Sequence, residues 1–119
     1  GGSTWLLPRL IGFRRTQELI FENRELSAQE AVEWGLATRT ANQGTALDTA
    51  IKQAQSMASG PTMAFASAKK MLETTFANDF VAQTDIETQE ISANMAGHDG
   101  KEGIDAFINK RKPNFKGVR

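Results

Sequence analysis

Gly100-Lys101-Glu102-Gly103-Ile104-Asp105-Ala106-Phe107-Ile108-Asn109-Lys110-Arg111-Lys112-Pro113-Asn114-Phe115-Lys116 has the pattern of a last helix. Ile104, Phe107 and Ile108 fall at i, i+3 and i+4, so they share one face. Lys110, Arg111 and Lys112 are expected to fill the final turn, where the negative end of the helix dipole favours cations. Pro113 is expected to end the helix, because it clashes with the preceding turn and biases Lys112 away from helical angles. An apolar stripe would then end in a positive cluster, with Phe115 just beyond. Two readings stay open. One is a docked terminal helix with a solvated basic end. The other is a site for an anionic ligand, with Phe107 supplying a flat face and Lys110 a flexible point charge suited to a phosphate ester.

The charge distribution bears on that choice. The chain carries 14 Lys and Arg against 14 Asp and Glu, so no net field selects for nucleic acid or a membrane surface. Residues 101–119 nevertheless hold six basic and two acidic side chains, leaving the first 100 residues with eight and twelve. Such asymmetry suits an anion-attracting tail, or attraction between tail and body of neighbouring subunits. The absence of cysteine excludes disulfides and thiol chemistry. No apolar run approaches the roughly 20 residues that span a bilayer, and no secretory signal is evident. A soluble cytoplasmic protein of about one domain is the expectation for 119 residues. The opening Gly1-Gly2, without Met, suggests either a removed tag or a piece of a longer polypeptide.

Working back from the last helix, Gly97-His98-Asp99-Gly100 reads as a turn. Before it, Asn78 or Asp79 is expected to cap a longer helix in which Phe80, Thr84, Glu87, Ile91 and Met95 share a face. Ser59-Gly60-Pro61 breaks the chain, and Pro61 suits the first turn of a helix whose buried stripe is expected to be Phe65, Ala68, Leu72 and Phe76. Thr45 can cap the helix before that, where Leu47, Ile51, Ala54 and Ala58 recur at helical spacing. Leu36 to Thr40 reads as a short strand or a connector. Ser27 with Glu30 forms a capping box opening a helix that ends near Gly35. Phe13 to Asn23 reads as a short helix burying Leu19 and Ile20, and the segment before it ends at Gly12. The pattern is all-α, with six or seven helices. The first two look too short to stand alone, which suggests packing on another body or on copies of the chain itself.

Little of this resembles a catalytic constellation. His98, the one histidine, sits beside Asp99, but sequence adjacency does not set the geometry a general base needs. No serine lies in a nucleophile-elbow pattern. Glu87 and Glu90 lie on one helix face and read as solvated, and Lys69-Lys70 likewise reads as solvated. No cluster has metal-ligand spacing. Trp5 reads as a core residue by its type.

Three segments, in order, resemble the C-terminal half of the enoyl-CoA hydratase/isomerase (crotonase) family. They are Gly1-Gly2-Ser3-Thr4-Trp5-Leu6-Leu7-Pro8-Arg9-Leu10-Ile11-Gly12, then Leu26-Ser27-Ala28-Gln29-Glu30-Ala31-Val32-Glu33-Trp34-Gly35-Leu36-Ala37, and Lys101 through Arg111. The resemblance implies a mainly α chain: the C-terminal helical trimerisation region of a ββα-spiral fold, present without most of the spiral. Residues 1–40 would be the end of the spiral core and residues 41–119 the helical oligomerisation region.

The resemblance also implies a parent enzyme that binds acyl-CoA thioesters in fatty-acid metabolism and stabilises an enolate-like intermediate in a backbone oxyanion hole. Coenzyme A would enter as part of the substrate, with no other cofactor and no metal. The oxyanion-hole amides and the acid–base carboxylates of the family belong to segments upstream of Gly1, so no catalytic residue carries over. Phe107 and Lys110 carry over as residues meeting the adenine and 3′-phosphate region of CoA. Trp5 carries over as a residue near the acyl pocket. The Trp5-Leu6-Leu7-Pro8 run is closer to ring-metabolising and isomerase-like members than to the short-chain hydratase. A homotrimer or dimer of trimers is implied, with no nucleic acid and no membrane partner. The 119 residues alone are expected to be inactive. The rival readings are a non-catalytic helical assembly module and a catalytically dead family member.

Overall fold

The computed structural model describes residues 1–118, and these form seven helices with no strand among them. They are α1 (Ser3–Ile11), α2 (Phe13–Glu22), α3 (Ala28–Glu33), α4 (Ala46–Ala58), α5 (Thr62–Thr74), α6 (Phe80–Ala96) and α7 (His98–Ile108). The chain divides into two compact units, Gly1–Thr49 and the part from Ala50 onward, so the division falls within α4. Residues 36–40 are a connector. No helix of the described residues is long and apolar enough to cross a membrane.

In the first unit α1 packs on α2. Gly2 (φ 94°) opens α1, and Gly12 (φ 82°) ends it and starts α2; both are conformations that glycine adopts without a Cβ penalty. Pro8 lies inside α1, which continues to Ile11. Ile11 and Thr16 are the buried residues of this pair, and the Thr16 hydroxyl donates to the Gly12 carbonyl at 2.9 Å. Leu19 is half-buried, whereas Ile20 is exposed. The capping box on α3 is complete: the Glu30 N–H donates to Ser27 Oγ, and the Ser27 N–H to the Glu30 carboxylate, both at 3.1 Å. Gly35 (φ 80°) ends that helix, with Leu36 N–H reaching back to the Ala31 carbonyl at 2.8 Å. The Arg15 and Arg24 guanidiniums each lie under 5 Å from the centre of the Trp34 ring, at 4.9 and 4.8 Å.

In the second unit α5 packs on α6 and α6 on α7. A polar ladder joins α5 to α6. Ser67 Oγ donates to Glu90 at 2.8 Å, Lys70 to the other Glu90 oxygen at 3.0 Å, and Asn94 Nδ2 to Ser67 Oγ at 2.9 Å. Glu90 is therefore an interhelical acceptor and not one of a solvated carboxylate pair.

Besides the burial expected of Ile20 and the solvated face expected of Glu90, three further expectations are corrected. The expected stripe of Phe65, Ala68, Leu72 and Phe76 is exposed, α5 ends at Thr74 so that Phe76 lies beyond it, and the packed face carries Ser67 instead. Spacing identifies which residues share a face, but not whether the surface that covers it is present. Gly97–Gly100 is not a turn: Gly97 alone joins α6 to α7, and His98, Asp99 and Gly100 are already helical. Finally, α7 stops at Ile108, before Lys110, Arg111 and Lys112, so no base lies in its last turn.

Candidate functional site

The residues singled out at the C-terminus are organised by how α7 ends. Asn109 caps the helix, donating its side-chain amide to the Asp105 carbonyl at 3.0 Å and carboxylate at 2.8 Å. Lys110 follows with φ 51°, a left-handed conformation that glycine usually supplies. Its N–H bonds the Phe107 carbonyl at 3.2 Å, and Arg111 N–H bonds the Ala106 carbonyl at 3.0 Å. These two bonds are the Schellman pattern, which satisfies carbonyls that the helix end would leave orphaned.

Beyond it the tail runs back along α7 and is held by carboxylates. Arg111 forks onto Glu102 with both nitrogens at 2.7 Å and also reaches Asp105. Glu102 accepts Asn114 N–H at 2.6 Å. Asp99, one turn earlier and only 6 % exposed, accepts Lys116 N–H at 2.8 Å and Gly117 N–H at 2.7 Å. The Arg111 fork and the Asn114 amide hold the Glu102 carboxyl down to about 2. The tail amide of Lys116, then the His98 ring at 3.1 Å and the Gly117 amide, keep Asp99 below the usual carboxylate range. Neither carboxylate stands out in the sequence. The available signal was their i, i+3 spacing ahead of a segment interrupted by Pro113.

Phe107 is 85 % exposed and Ile108 70 %, so the apolar stripe of α7 is largely uncovered. Phe107 also lines an open, mainly apolar cavity of about 400 Å³, with Met63, Met95, Ile104, Phe115 and Val118. Phe107 and Lys110 are thus neighbours at one helix end, joined by a main-chain bond. Among the described residues no carboxylate pairs with the Lys110 ammonium. Trp5 belongs to the first unit. It is half exposed, with the Arg9 guanidinium 3.9 Å from its ring centre and an Arg9 nitrogen bonded to its carbonyl at 2.8 Å. It is not the core residue its type suggests. His98 is exposed and bonds only its neighbour Asp99 among the described groups. Among the described residues no group of three or more His, Asp or Glu side chains gathers as a metal site.

Comparison with known proteins gives this arrangement a context. Residues 1–118 match the family described as enoyl-CoA hydratase/isomerase. The chain is 36 % identical over 118 residues to the 1,2-epoxyphenylacetyl-CoA isomerase of Escherichia coli K12, covering 98 % of this chain and 44 % of that protein. It is 31 % identical over 115 residues to the mitochondrial enoyl-CoA hydratase of Pongo abelii, covering 97 % and 40 %. Among solved structures, an enoyl-CoA hydratase from Bacillus anthracis superposes with a TM-score of 0.88 at 36 % identity, covering 98 % of this chain and 45 % of that one. One from Polaromonas sp. JS666 gives 0.91 at 30 %, covering 97 % and 45 %. The chain spans less than half the length of these relatives. Its all-helical architecture is that of the C-terminal helical part of the crotonase fold, and the chain belongs to the enoyl-CoA hydratase/isomerase family.

Proposed function

We propose that these residues are the C-terminal, CoA-binding and assembly portion of an enzyme acting on acyl-CoA thioesters. The complete protein would transfer a proton next to the thioester carbonyl of an enoyl-CoA, with water addition in the hydratase case. Phe107 would meet the adenine and Lys110 the 3′-phosphate of CoA, while Trp5 would lie near the acyl group. The observation that carries this reading is the exposed Phe107 ring with an exposed lysine three residues on, in the left-handed turn just past the helix end. A flat apolar surface beside an exposed ammonium matches an adenine bearing a phosphate monoester. Family membership supplies the acyl-CoA. The exposed Leu72 and Phe80 support an assembly role, and the proposed assembly is a trimer or dimer of trimers.

The test compares CoA with dephospho-CoA in the complete protein. Lys110→Ala is expected to weaken CoA about tenfold, the loss of one charge-assisted contact, and to leave dephospho-CoA nearly unchanged. Equal losses for both ligands would remove the phosphate role. The 119 residues alone are expected not to hydrate or isomerise crotonyl-CoA; an appreciable rate would overturn the assignment of the catalytic groups to the rest of the protein.

A further inference from the structure

Lys110 occupies the position where helices usually place glycine. A side chain there is strained, and such strain persists only where surrounding structure over-determines it. What over-determines it is visible. The residue before Lys110 is tied to Asp105 by the Asn109 amide. The residue after it is tied to Glu102 and Asp105 by the Arg111 fork, and Glu102 also holds Asn114. Lys110 is therefore the one residue between two anchors, and both anchors are on the last turns of α7. A forked arginine–carboxylate pair fixes direction as well as distance, which a lysine in place of Arg111 would not do.

We propose that Glu102 and Arg111 are positioning residues for the phosphate-binding lysine. Their fork holds the peptide in the left-handed turn that aims Lys110 away from the helix and alongside Phe107. Asp105 serves as a second seat for Arg111. The inference rests on the reading of Lys110 as the 3′-phosphate ligand. It adds that the affinity depends on a clamp that never touches the nucleotide.

The experiment measures Kd for CoA and for dephospho-CoA in the complete protein and in Lys110→Ala, Glu102→Gln and the double variant. Thermal unfolding of each shows that it is folded. Glu102→Gln keeps the shape and gives up the charge of the fork. It is expected to weaken CoA about fivefold, leave dephospho-CoA within about twofold, and add no further loss in the Lys110→Ala background. Arg111→Lys, which keeps the charge and gives up the fork, is expected to repeat this and serves if Glu102→Gln does not fold. If Lys110→Ala loses the preference for CoA but the clamp variants keep it, or if the two losses add, the positioning role is overturned and the phosphate role of Lys110 stands. If Lys110→Ala itself leaves the preference intact, the phosphate reading falls, and the positioning role with it.

Discussion

Gly100 of α7 faces the main-chain oxygen of Asn94 on α6 so closely that a Cβ there would overlap it, and would stand 2.6 Å from Met95 Cα. The two helices therefore meet backbone on backbone, and neither obstacle is a side chain that can turn aside. Gly100→Ala gains about 1 kcal/mol of helix propensity. The forced separation of α6 and α7 outweighs that gain, and a net loss of about 2 kcal/mol is expected. Gly103 is the internal comparison, since a Cβ there would meet only the Phe115 ring edge at 3.5 Å, an ordinary contact. Gly103→Ala is expected to be neutral or to stabilise by up to about 1 kcal/mol. Urea midpoints of the two variants in the complete protein decide the matter; equal midpoints would mean that the helices do not meet at Gly100.

The capping box of α3 gives a second prediction. Six residues are too few to hold a helix by propensity. Its first turn depends on the reciprocal Ser27 and Glu30 bonds, and its end on Gly35. Ser27→Ala is expected to cost about 1 kcal/mol. The loss should be readable as faster amide exchange across residues 28–34, with α6 and α7 unaffected. Unchanged exchange in that segment would show that the box contributes nothing.

Acid should loosen the C-terminal tail before it unfolds the helices as a whole. Glu102 is held from an ordinary 4.5 down to about 2, and Asp99 is also lowered. A carboxyl depressed by folding stabilises the native state fully above its unfolded value, and that contribution disappears as pH falls through the folded one. For Glu102 the window runs from about pH 4.5 down to about 2. The difference in urea midpoint between the protein and Glu102→Gln should be constant above pH 5 and shrink steadily below it. A difference that grows toward low pH would reverse the assigned sign.

The sequence was informative where a signal is local. Ser27 and Glu30 announce a cap three residues apart, and Gly12 and Gly35 announce helix ends, because each uses only neighbouring backbone groups. It was less informative where the partner is distant. Nothing near Glu90 indicates that Ser67, 23 residues earlier, donates to it. Phe65, Ala68 and Leu72 share a face of α5 as their spacing says, yet are exposed, and Phe76 falls past the helix end. A stripe reports that a helix has an apolar side, not that the described residues cover it. The pair Gly97 and Gly100 looked like one turn, but the two glycines have separate causes: Gly97 joins two helices, and Gly100 admits the neighbouring backbone. At the candidate site, Phe107 and Lys110 were legible as a ring and a charge. The clamp of Glu102 and Arg111 was not, because its geometry depends on the chain reversing after Ile108. A helix running up to Pro113 would end at Lys112, four residues past its actual end.

That reversal separates the stability role of residue 110 from its proposed binding role. With φ at 51°, a lysine and an alanine carry the same Cβ penalty, whereas glycine carries none. Lys110→Gly should therefore raise stability by about 1 kcal/mol, and Lys110→Ala should leave it nearly unchanged. Both remove the ammonium, so both should reduce the preference for CoA over dephospho-CoA alike. A stabilised Lys110→Gly variant with lost preference would mean that the native lysine is retained at the expense of stability, for what its side chain does. If Lys110→Gly is no more stable than Lys110→Ala, residue 110 is not held in the left-handed turn. The Arg111 fork would then have no strained peptide to hold.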